Sequence, residues 1–207
     1  MLIIGAKGFA KELFEVIYTN NPNEYICFYD DVNPDVPEIL YKNYRVLKNM
    51  EEAAEEFRKD NRFCLGVGNP EIRKLLAEKF ESIGGELVTH ISKHANVGHF
   101  GVTFKPGVVV CGGVNITNDI FFGKGCLINL NCTIGHDSIL EDYVELCPGV
   151  HVSGNVKIGA NTFVGTGVVI LPGITIGSDV RIGAGAVVTT NLPDHVTAIG
   201  IPAKIKS

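Results

Sequence analysis

The chain has 207 residues, 45% of them hydrophobic, and carries 18 Lys and Arg against 23 Asp and Glu, for a net charge of −5. The apolar content excludes a disordered chain, and the acidic balance lacks the basic footprint of a nucleic-acid binder. No apolar run reaches the length of a membrane span, and residues 1–5 have neither the basic n-region nor the cleavage site of a signal peptide, so a cytoplasmic protein without membrane insertion is expected.

The first half alternates strand and helix signals. Leu2–Ile4 reads as a short buried strand, residues 5–8 as a turn, and 9–19 as a helix through Leu13, Val16 and Ile17. Residues 25–29 read as a second strand ended by Asp30 and Asp31. Asn49 is placed to cap a helix over 50–59, and 63–67 reads as a third strand. Asn69 followed by Pro70 starts another helix that runs to about Phe80. Gly84 and Gly85 break it, and 86–91 reads as a last strand. This order predicts a small parallel, Rossmann-like α/β sheet.

Charge then thins out: residues 1–103 hold 28 charged side chains and 104–207 hold 13. From Phe104, every sixth residue to Val188 is large and apolar, fifteen positions in all. At this composition such a run is a chance event of roughly 6 × 10⁻⁶. A second set, four residues after each, is apolar in twelve of fourteen places and includes Cys126 and Cys132. Three residues after each main position stands Gly, Asn or Asp in thirteen of fourteen places, Tyr143 being the exception. These types tolerate positive φ. Two inward side chains and then a sharp turn make one side of a triangular coil, the hexapeptide β-helix pattern. The chain is therefore expected to divide into an α/β domain over 1–84 and an all-β parallel β-helix over 85–207.

In a three-sided coil, residues 18 apart lie above one another, about 4.8 Å apart. His136 falls at a corner, in a column with Asn118, Gly154 and Pro172. An exposed imidazole beside a residue without a side chain is a candidate general base, and an incidental surface histidine fits the same position. Asp137 has the residue type the turn requires, and is also placed to orient the ring. Gly5-Ala6-Lys7-Gly8 between strand and helix, with Asp30 after the second strand, is the layout of a nucleotide pocket. The full G-x-G-x-x-G of an NAD fold is missing. His94 and His99 form H-x₄-H, but no third histidine stands about 36 residues earlier, where the chain has Arg58, and no metal site is expected. The six cysteines form no C-x-x-C pair and read as reduced thiols.

Several motifs in order, G-A-K-G-F-A-K-E (5–12), F-Y-D-D (28–31), G-V-G-N (66–69), I-G-H-D (134–137), C-P-G-V (147–150), S-G-N-V-K-I-G (153–159) and G-I-P-A-K (200–204), resemble the left-handed β-helix acyltransferases of the sialic acid O-acetyltransferase and nucleotide-amino-sugar N-acetyltransferase group. The resemblance implies the left hand of the β-helix and a homotrimer with acetyl-CoA as co-substrate in a groove between prisms. It implies His136 as general base, Asp137 as its acidic partner and the Gly154 N–H as donor to the thioester oxygen. Thr166, Ala184 and Lys204 would contact CoA, as would the position of Glu145. Gly8, Asp30, Asp31, Gly68 and Asn129 would line the pocket of the nucleotide-sugar partner. The chain departs from the family pattern at Lys7, Phe9 and Glu145, where Gly, His and His are common. The expected activity is N-acetylation of a nucleotide-linked amino sugar. The alternatives are O-acetylation of a sugar of the sialic acid type and a non-catalytic trimeric scaffold that binds a nucleotide sugar.

Overall fold

The computed structural model describes residues 1–206. The first unit runs β1 (Leu2–Ile4), α1 (Phe9–Asn20), β2 (Cys27–Tyr29), β3 (Ile39–Leu40), β4 (Tyr44–Leu47), α2 (Met50–Phe57), β5 (Arg62–Leu65), α3 (Pro70–Glu81) and β6 (Glu86–Leu87). Its sheet has the order β3-β4-β2-β1-β5-β6 and is parallel except for the β3–β4 hairpin. β1 sits in the middle and is buried along its whole length, which is why it reads as an unbroken apolar run. The predicted caps are made: Asn49 accepts from the Glu52 N–H at 2.9 Å and Asn69 from the Ile72 N–H at 3.1 Å.

Two segments differ from the sequence reading. The β3–β4 hairpin has no turn signal, because its left-handed positions are Tyr41 (φ 46°) and Lys42 (φ 69°) rather than Asn or Gly. The Tyr41 ring stacks on Phe14, with centroids 5.4 Å apart, and that packing offsets the backbone cost. The single strand expected over 86–91 is two short strands in different sheets. β6 closes the α/β sheet beside β5, while His90–Ile91 pairs with Val109–Val110.

His90–Ile91 opens a prism of two-residue strands on three faces. The first face runs from His90–Ile91 to Lys204–Ile205, the second from Asn96–Val97 to Val187–Val188, and the third from Thr103–Phe104 to Thr175–Ile176. Through the middle of the prism each strand pairs with the strand 18 residues on, as in Leu127↔Glu145 and Glu145↔Phe163. The main apolar positions from Val110 to Val188 are buried in one continuous core, with Phe104 packed against its end. All fourteen turn positions have positive φ, Tyr143 included (φ 60°). The inward polar pair of the second set is satisfied internally: the Thr162 hydroxyl donates to Gly177 O at 2.8 Å, and the Ser138 hydroxyl donates to Ser153 O at 3.3 Å. Cys126 and Cys132 are core side chains, and among the described residues every cysteine is a free thiol.

The α/β unit docks on the first face. Met1, Ile3, Leu13 and Val16 share an apolar cluster with Val109, Cys111 and Leu127. Ion pairs Lys124–Glu81 (2.7 Å) and Arg181–Glu71 (3.2 Å) flank it.

Candidate active site

His136 lies at the corner between the second and third faces. The column read from the sequence is present: Asp137 N–H donates to Asn118 O, Asn155 N–H to His136 O and Gly173 N–H to Gly154 O. The His136 Nδ1 is 2.7 Å from Asp137 Oδ2, and both side chains are more than half exposed. A carboxylate only accepts, so Nδ1 carries a proton, and in the neutral ring Nε2 is the nitrogen with the free lone pair. The Nε2 end of the ring lies over Gly154. A Cβ built on Gly154 would stand 2.6 Å from Nε2 and 2.7 Å from Cε1. Only a residue without a side chain admits the ring there. The Gly154 N–H donates to no carbonyl of this chain among the described residues. A lone-pair nitrogen and an unused N–H thus face the same exposed corner, which is the pairing that acyl transfer to a nucleophile requires.

A second concavity opens at the carboxyl ends of the α/β strands. Gly5, Gly8, Asp30, Asn33, Gly66 and Gly68 line a cavity of about 250 Å³ at the start of α1. Gly8 takes φ 40° just before the helix, and nothing lies within 4 Å of where its Cβ would be. A polar group can therefore approach the backbone and the helix N-terminus directly. The Asp30 carboxylate accepts from the N–H groups of Ala6 (3.2 Å) and Asn33 (2.9 Å), from Val32 N–H (3.3 Å) and from the Asn33 amide (2.9 Å). Those donors occupy its acceptor sites, so Asp30 clamps the glycine turn to the loop after β2. Asp31 faces an adjoining cavity with Lys48. Burial works to raise its carboxyl, but the Tyr29 hydroxyl at 2.7 Å and the Lys79 ammonium at 3.3 Å outweigh burial and leave it below its ordinary value. The Lys7 ammonium is paired with the exposed Asp35, 2.7 Å from Oδ2.

These two sites sit on a chain with clear relatives. The PglD N-terminal domain family matches residues 1–80, and the bacterial transferase hexapeptide family matches residues 155–190. Perosamine N-acetyltransferase from Caulobacter crescentus, solved in complex with CoA and GDP-perosamine, is 32% identical over 100% of this chain and 96% of its own, with a TM-score of 0.90. The chain belongs to the left-handed β-helix sugar acetyltransferases. Within this family, the acetyltransferase domain of PglB from Neisseria gonorrhoeae is 28% identical over 99% of this chain and 98% of its own (TM-score 0.89). WeeI from Acinetobacter baumannii has the same identity and coverage (TM-score 0.91).

The rest of the expected acetyltransferase site is spread around the prism. Thr166 and Ala184 stack on one another at a different corner, between the first and second faces, where Gly185 N–H donates to Thr166 O at 2.8 Å. Both are exposed. Lys204 lies on the last strand of the first face, antiparallel to Thr197–Ile199. Asn129 is 8% exposed on the first face and outside the glycine-lined cavity, with its side-chain oxygen taken by the Leu130 N–H at 2.7 Å. Glu145 turns to the α/β unit. It is 6% exposed at the junction between the two units, 3.3 Å from Arg73 Nη1. Its Oε1 lies 2.9 Å from where a Gly68 Cβ would be. Burial pushes the Glu145 carboxyl up, against the pull of Arg73.

Arg73 was not singled out in the sequence, although a signal was there. Pro70, Arg73, Ala77 and Phe80 form the buried stripe of α3, so helical spacing puts a cation among core positions. Among the described residues no group of three or more His, Cys, Asp or Glu is placed to hold a metal ion, and no helix is long and apolar enough to cross a membrane.

Proposed function

We propose that this acetyltransferase moves the acetyl group of acetyl-CoA to the amine of a nucleotide-linked amino sugar, with His136 as general base and without a covalent acyl-enzyme. The observation that carries the reading is the His136 ring, held by Asp137 and laid over Gly154. The acceptor nitrogen attacks the thioester carbon while His136 Nε2 takes its proton. Gly154 N–H donates to the oxygen that becomes negative, an effect typically worth about 3 kcal/mol. The C–S bond then breaks and the proton leaves with the CoA thiol. Cys147, the one cysteine not fully buried, is partnered by Glu145 at 3.9 Å rather than by His136, which supports direct transfer.

Two relatives support the substrates: the Caulobacter enzyme was crystallised with CoA and GDP-perosamine, and the Neisseria domain with acetyl coenzyme A. The glycine-lined cavity, with its open helix N-terminus, suits the diphosphate of such an acceptor. Lys7 supports this too, since an exposed ion pair such as Lys7–Asp35 is weak enough to be exchanged for a phosphate. Turnover of acetyl-CoA should be measured against a panel of GDP-, UDP- and dTDP-linked amino sugars. Efficient acetylation of a free sugar hydroxyl, with no nucleoside diphosphate bound below about millimolar, would replace this acceptor class by the O-acetyl one.

The active unit is a homotrimer in this reading. One prism carries His136 on one corner, Thr166 and Ala184 on another, and the glycine-lined cavity on the unit that covers the first face. A neighbouring copy brings the Thr166 corner to the His136 corner and completes a CoA groove. Leu130 (39% exposed) and Ile139 (43%) near these two corners give the faces apolar surface to bury. Light scattering should give three times the 22.3 kDa chain mass. A stable, active monomer at micromolar concentration would sink the shared groove.

A further inference from the structure

Arg73 enters the junction from the first turn of α3 and is 2% exposed. A guanidinium is tolerated at such burial only when its donors are met. Here its N–H groups find five acceptors. Nε donates to Gly125 O at 3.1 Å, and Nη2 to Tyr143 O at 2.8 Å and Val144 O at 3.2 Å. Nη1 donates to Gly68 O and to Glu145 Oε2, the latter at 3.3 Å. Four of the five acceptors belong to the prism. The fifth, Gly68, belongs to the loop between β5 and α3, which is one wall of the glycine-lined cavity.

Glu145 holds the same loop from the other side. Its Oε1 lies 2.9 Å from where a Gly68 Cβ would be, so the carboxylate occupies the space beside the glycine that a side chain would take. The two members of one buried ion pair thus meet one glycine, Arg73 at its carbonyl and Glu145 on the open side of its α-carbon. Attachment of the two units does not require this charge. In the same prism column, Leu127 lies one coil below Glu145 and Val109 below that, and both pack on the α/β unit through apolar contact alone. A carboxylate and a guanidinium in this place add direction, because their hydrogen bonds accept one register and an apolar contact accepts several.

The geometry points to Arg73 and Glu145 as a positioning pair that fixes the β5–α3 wall of the acceptor cavity on the prism and so sets the affinity for the nucleotide part of the acceptor. The inference rests on the function proposed above. Neither side chain reaches the His136 corner, so the chemical step at saturating acceptor does not depend on them.

The test uses the full chain. Removing one member alone strands a buried charge and endangers folding, so both are replaced by apolar groups of similar volume, Arg73→Met with Glu145→Leu, an exchange that buried ion pairs commonly tolerate. GDP and UDP affinities are measured by titration calorimetry, and KM and kcat with the best amino-sugar acceptor. The expected result is KM raised about tenfold or more, the scale of a small misplacement, with diphosphate affinity lowered in step and kcat and CoA affinity unchanged. If the pair does not fold, Arg73→Lys keeps both charges and removes the planar fork that holds Gly68 O, and a smaller rise in KM is expected. A folded variant of either kind with unchanged KM and diphosphate affinity overturns the positioning role alone. A wild-type chain that binds neither diphosphate and acetylates no nucleotide sugar overturns the acceptor reading, and this inference with it.

Discussion

Replacing His136 with alanine is expected to slow acetyl transfer by about 10²–10⁴-fold, the usual worth of a positioned general base, while CoA still binds and the fold is intact. The side chain is 63% exposed and its ring contributes nothing to the core. Its structural link to the prism is the backbone carbonyl that accepts from Asn155 N–H at 2.8 Å, which alanine retains. Steady-state turnover, CoA titration and thermal denaturation of one preparation separate the three quantities. A variant that keeps more than about a tenth of the wild-type rate removes His136 from the chemistry. Replacing Asp137 would be a poorer test, since that residue also holds a left-handed turn at φ 58° and its loss mixes catalysis with backbone strain.

Gly154→Ala is expected to be nearly as damaging, although it adds a single methyl group. The backbone at Gly154 does not have positive φ, so alanine is not strained there. The methyl carbon would stand 2.6 Å from His136 Nε2, well inside van der Waals contact. The exposed ring can swing away, so little stability is lost. Once it swings, Nε2 leaves the position it shares with the Gly154 N–H. Displacing a catalytic group by about an ångström costs on the order of 10²-fold, and obstruction of the N–H donor adds to it. We expect turnover reduced by about 10²-fold or more, with a melting temperature close to wild type. Wild-type turnover in Gly154→Ala would show that the ring does not act from the position it holds here. A large drop in melting temperature would show that the close approach is structural.

These two residues illustrate how far a repeat can be read. Each hexapeptide decides its own inward pair and its own turn from local sterics, so the apolar columns and the left-handed corners are written in six-residue steps. Once the coil is 18 residues, vertical neighbours follow by counting, and His136 over Gly154 was legible without coordinates. The counting fails where the step changes. Ile91, Val97 and Phe104 are the inward residues of the first coil, but one extra residue between Val97 and Phe104 breaks the period, and the count picks up only the last of that coil's three sides. At the other end Arg181 pairs with Thr197, 16 residues on, and the count ends early for the same reason.

The amino-acid sequence by itself determined the two units, the prism core, the caps at Asn49 and Asn69, and the His136 column, because each depends on residues within one helix turn or one coil. Tertiary structure alone decided which face the α/β unit covers, that Asp30 is taken up by its own loop, and that Glu145 meets at the junction an arginine 72 residues away. Those outcomes depend on contacts between distant segments. A buried charge such as Arg73 or Glu145 has no local preference that reveals its partner, and only the desolvation it must offset brings the two together.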